Sequence, residues 1–104
     1  MNSWRDNVAQ VEIEKRRWAV LRHLEDSKPA RSLNADILLM GCRAAGLPTT
    51  EDQMKETWAW LEERRFVERT NLGPMEVVTI TSAGREVIQG HKVVEGLIPF
   101  GLDI

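Results

Sequence analysis

The chain has 104 residues, enough for one domain with a single modest core. Its 42% hydrophobic and 29% charged residues are those of a globular protein and exclude a disordered or fibrous chain. A formal net charge of −2 announces no polyanion partner, and a single cysteine excludes an internal disulfide framework and fits a reducing compartment. No apolar run approaches the roughly 18 residues of a membrane span, and the charged start "MNSWRDNVAQVEIEKRR" is no secretory signal. The expected location is the cytoplasm, with no membrane partner.

Residues 3 to 25 lack Pro and Gly and are rich in helix formers, which predicts a long first helix. At roughly 100° per residue, Trp4, Val8, Val11 and Trp18 share one side, while Ile13, Val20, Leu21 and Leu24 share the other. A helix apolar on opposite sides is sandwiched, which makes one side available to a partner chain. The alternative is a break near residues 10 to 13, with each half packing separately.

Pro29 in "DSKPARS" ends that helix. Ser32 or Asn34 can cap a second helix running to about Ala45, with Leu33, Ile37, Leu38 and Cys42 expected inward. Gly46 stands where a left-handed terminating residue is expected, and Pro48 prevents continuation. Thr50 and Gln53 form a T-x-x-Q capping box that opens a third helix. Helix, short turn, helix is the spacing of a helix-turn-helix. In the third helix Met54, Thr57, Trp58 and Leu61 form the inward stripe. Asp52, Lys55, Glu56, Ala59 and Glu63 lie opposite, facing out.

"FVERT" and "MEVVTIT" alternate as strands around the turn residues of "NLGP", and "TSAGREVIQG" returns to helix with Thr81 or Ser82 as its cap. The apolar "HKVVEGLIPFGLDI", broken by Gly96, Pro99 and Gly101, is expected to be an extended arm.

Three helices followed by a hairpin is the winged-helix order, and particular blocks match that family. "WLEERRFVER" resembles the L-x-x-x-G-hydrophobic-V junction that ends a recognition helix. "VVTITSAGREV" resembles the second wing strand entering its T-x-x-G helix. Both are similar to the bacterial winged-helix regulators of the ArsR and MarR kind. "RRWAVLRHLEDSKPARS", "WAWLEERRFV", "TITSAGREVIQG" and "VEGLIP" resemble short winged-helix proteins of Mu-like phages and prophages. The resemblance implies a mainly α winged helix-turn-helix with a small β-hairpin: a domain over residues 1–90, a short C-terminal helix, and an apolar arm over 91–104. It also implies a bacterial host cytoplasm and a DNA-binding fold. Two departures stand out: Arg65 occupies the usual Gly position, and the tail "IPFGLDI" is acidic and apolar rather than basic.

A transcriptional regulator would present the third helix to the major groove of double-stranded DNA, with Thr49, Thr50, Gln53, Lys55, Arg64 and Arg69 as the contacting set. Arg31, Arg43 and Lys15 to Arg17 are further basic groups. The acidic residues Glu51, Asp52 and Glu56 favour an alternative, a protein-interaction module such as a phage assembly or packaging accessory. They also complement the positive end of the helix dipole. A homodimer is expected through Trp4, Val8, Val11, Trp18, Leu97, Ile98 and Phe100. The chain is expected not to be an enzyme. His23 and His91 lack a nucleophile partner, and one Cys offers too few ligands for a metal, so no cofactor is called for.

Overall fold

A computed structural model describes residues 3–99. Among them, four helices and a three-stranded antiparallel sheet follow one another as α1 (Ser3–Asp26), β1 (Ser32–Asn34), α2 (Ala35–Ala44), α3 (Glu51–Glu63), β2 (Val67–Leu72), β3 (Met75–Ile80) and α4 (Ser82–Ile88). The architecture is mixed α/β. No helix among the described residues is long and apolar enough to cross a membrane.

Strand β1 is an addition to the expected hairpin. Ser32 and Leu33, expected in the second helix, instead pair with Thr79 and Val78, and the sheet order is β1-β3-β2. The Ser32 and Thr79 hydroxyls bond across that pair at 2.6 Å. Helix α2 then begins at the Asn34 cap, whose side chain accepts from the Asp36 N–H. Its buried stripe is Ala35, Leu38, Leu39 and Cys42, an i, i+3, i+4, i+7 set. Ile37, expected inward, falls on the opposite side of that stripe and is 47% exposed.

Helix α1 is continuous, yet its halves differ. Residues 4 to 11 are exposed on every side, whereas Arg16 and residues 18 to 21 are buried. Helix α1 packs against α2, α3, β3 and α4, and its second half keeps only a side with Arg22 and Asp26 exposed. Trp18 is therefore core at 7% exposure, not part of an outward apolar face with Trp4, Val8 and Val11, which do stay exposed. The arm also folds onto its own chain. Val94 and Leu97 pack against the core, and the Ile98 N–H donates to the Glu14 carbonyl at 3.4 Å. Leu97 and Ile98 are thus half-buried against their own chain, and Phe100 lies outside the described residues.

Helix α3 ends in a Schellman motif: the Phe66 N–H donates to Leu61 and the Arg65 N–H to Glu62, both at 2.9 Å. This motif places Arg65 in the left-handed region at φ 64°, where Gly is usual and a side chain costs about 1 kcal/mol. The Thr81 hydroxyl locks the same corner by donating to the Arg65 carbonyl at 2.7 Å and accepting from the Gly84 N–H at 3.1 Å. A Cβ on Gly84 would run into the Phe66 carbonyl oxygen, which explains the glycine in "TSAG".

Candidate docking face of the third helix

The capping box forms as its spacing predicts. The Thr50 hydroxyl accepts from the Gln53 N–H at 3.0 Å, and the Gln53 side chain accepts from the Thr50 N–H at 2.9 Å. Met54, Thr57, Trp58 and Leu61 are buried, and the opposite side of α3 is open. That side exposes Asp52, Glu56 and Glu63 against Lys55, and Glu51 is exposed at its edge.

Several of the candidate DNA contacts are engaged within the chain. Thr49 is 5% exposed and internally committed. Its hydroxyl donates to the Leu47 carbonyl at 2.8 Å and accepts from Arg16 Nε at 3.0 Å. The Arg16 guanidinium is itself 2% exposed, and its Nη2 donates to the Pro48 carbonyl. Arg43 Nε donates to the Thr49 carbonyl at 2.9 Å. The turn between α2 and α3 is therefore clamped from both sides, and Arg16 is not the solvated group that "EKRR" suggests.

Arg69 lies between two acids, 2.8 Å from Glu62 and 3.7 Å from Glu76. Arg64 stacks over the Trp60 ring at 3.8 Å, and Arg17 stacks over the same ring at 4.0 Å. Gly96 abuts the indole, and its carbonyl accepts from Arg17 at 3.0 Å. Burial lowers the Arg17 pKa, with Glu14 opposing and Arg64 adding to the shift. Of the six residues, Thr50, Gln53, Lys55 and Arg64 are exposed, and Lys55 lines the groove between α3 and the hairpin.

That groove is one of the concavities lined by α3 and the hairpin. It has a volume of about 280 Å³ and is bounded by the N-terminus of α2, by α3, and by the hairpin tip. Leu39, Met54 and Trp58 line it as buried side chains, with Pro74 and the half-exposed Met75 at the hairpin edge. Asp36, Glu51 and Glu76 against Lys55, three acids to one base, leave it at −2. The Trp58 Nε1–H is buried without a hydrogen-bond partner. Sequence reasoning found Glu51 and Lys55 but missed Asp36 and Glu76, because they come from α2 and β3 and meet α3 only in space. The nearest signal was the hairpin turn "NLGP", which carries no Lys or Arg.

Away from this face, burial pushes the Cys42 thiol up to about 11, against a smaller opposing effect of Arg16, so it is an inert core group. Among the described residues no group of His, Cys, Asp and Glu could hold a metal ion.

The fold and face thus define a small mixed α/β protein with an acidic, helix-displaying groove. The chain is 34% identical over 90 residues to the uncharacterized protein gp26 of Escherichia phage Mu, spanning 86% of this chain and 92% of that protein. It belongs to the family of that phage protein. No protein-family model and no solved structure matches it.

Proposed function

We propose that this chain is a phage winged helix-turn-helix module that docks a protein partner, such as an assembly or packaging component, through α3 and the hairpin. One observation carries the reading: the outward side of α3 is acidic, while Thr49 is buried and Arg69 is taken up by Glu62 and Glu76. Non-specific DNA affinity comes from Lys and Arg neutralising phosphates, and a groove at −2 repels them. Charge reversal at Glu51, Asp52 and Glu56 tests this in a pull-down with candidate phage structural proteins. Capture of a basic partner by wild type, lost on reversal, supports docking; capture that survives reversal removes this face from the reading.

A second reading, a duplex-DNA regulator of transcription, is favoured by the element order and by Lys55, Arg64 and Arg65, which remain exposed. Under it, wild type shifts phage operator DNA near roughly 50 mM salt, and Lys55→Ala or Arg69→Ala reduces the salt slope by about one unit. No shift at that salt eliminates it. Self-association is proposed for either reading through the exposed Trp4, Val8 and Val11 of α1, which share one helical stripe. Light scattering at micromolar concentration showing only monomer removes it.

A further inference from the structure

Trp18, Trp58 and Trp60 are buried or half-buried, but Trp4 is 74% exposed, on the open half of α1. Trp4, Val8 and Val11 share one stripe there, and beside it lies a concavity of about 430 Å³. Val8, Val11 and Glu12 form one wall, and Gly46 and Leu47, from the turn after α2, form the other. A side chain at Gly46 would stand in open space, so that wall is low. Each chain therefore carries an exposed indole and, two turns further along the same helix, a hollow with room for one. We infer that the occupant is a second copy of this chain, its α1 antiparallel to the first about a two-fold axis at Val8. The inference rests on the self-association proposed above and gives it a geometry.

Shape and charge set that arrangement independently. Around Val8, Trp4 of each copy falls opposite Val11 of the other, where the hollow lies. A two-fold contact repeats every interaction, so both indoles are covered at once. An aromatic side chain of this kind buries about 150–250 Å², which makes Trp4 the anchor.

The charges are self-complementary in the same register. At roughly 100° per residue, Arg5 and Glu12 flank the stripe on one side, the first exposed and the second half-buried. Neither takes part in an ion pair among the described residues. Antiparallel copies bring Arg5 against Glu12 twice, within about one 1.5 Å helical rise of the register that seats Trp4. Parallel copies instead set Arg5 against Arg5 and Glu12 against Glu12, and like charges so placed repel.

Sedimentation of the full chain over a range of concentrations, with disulfide trapping under diamide, tests the geometry. Cys42 is buried, so wild type gives no trapped dimer. Val8→Cys, on the axis, traps with itself. Val11→Cys does not, because its counterpart lies about 9 Å away along the helix, beyond disulfide reach. Trp4→Ala raises the dimer dissociation constant at least about a hundredfold, since the loss of an anchor counts twice. Arg5→Glu and Glu12→Arg each weaken the dimer about tenfold, and the double variant Arg5→Glu/Glu12→Arg restores it.

Self-trapping of Val11→Cys, no trapping of Val8→Cys, or a double variant no tighter than the single ones overturns the antiparallel contact while leaving self-association through the stripe standing. A dimer that Trp4→Ala does not weaken overturns the contact and moves self-association off this stripe. Monomer at every concentration removes both. Circular dichroism at high dilution verifies that each variant is folded.

Discussion

The turn between α2 and α3 and the groove between α3 and the hairpin lie at the same end of one helix, and both are rich in polar residues. In the turn, Arg16 and Thr49 are buried and bond to each other and to backbone oxygens, and Arg43 Nε is held by the Thr49 carbonyl. In the groove, Asp36, Glu51 and Lys55 are exposed. Residue type at a helix start therefore does not say whether a side chain is available. Availability depends on which neighbouring element has already taken its hydrogen-bonding capacity.

Substitutions that remove one region at a time break or sharpen that contrast. Trp58→Ala removes the packed groove lining and should cost about 3–5 kcal/mol in chemical denaturation, a large share of a small domain's stability. Arg16→Ala should cost about 3 kcal/mol, since hydrogen bonds to a charged group contribute about 1.5–3 kcal/mol each and the buried oxygens of Thr49 and Pro48 lose their donor. An Arg16→Ala protein as stable as wild type would mean the clamped turn is no different from the open groove.

Acid provides a further probe away from both regions. Burial raises the Glu25 carboxyl, but bonding to Arg85, then Gln89 and the nearby Arg31, outweighs it and holds the pKa below its ordinary value. The folded pKa lies below the unfolded one, so this stabilisation is present above about pH 4.3 and is lost as pH falls through the folded value. Melting wild type and Glu25→Gln across that range should show the wild-type advantage vanish in acid; a constant gap would refute the assignment. Thr50→Ala removes the cap at the boundary of the two regions and should cost about 1 kcal/mol. Smallest is Arg65→Gly. Relief of about 1 kcal/mol of left-handed strain is partly offset by a more flexible unfolded chain, so its denaturation midpoint should rise only slightly.

Local signals were legible where one segment contains the whole interaction. The Thr50–Gln53 box, the Gly46 terminator at φ 90°, the Thr81 cap and the inward stripe of α3 all lie within a few residues of their partners. Periodicity and capping chemistry suffice for these, because the geometry of a helix turn is the same in any fold. The long first helix and the hairpin belong to the same class.

What only the tertiary structure decided was the fate of side chains whose partners are distant in sequence. Trp18 turned inward because four other elements close around that half of α1. Strand β1, at three residues, is too short to show a period, and it forms because β3 offers it a free edge. The burial of Arg16 against Thr49, across 33 residues, and the meeting of Asp36, Glu51 and Glu76 around one groove arise the same way. Charge and hydrophobicity are properties of a residue, but exposure is a property of its neighbours, and those are assembled only when the chain has folded.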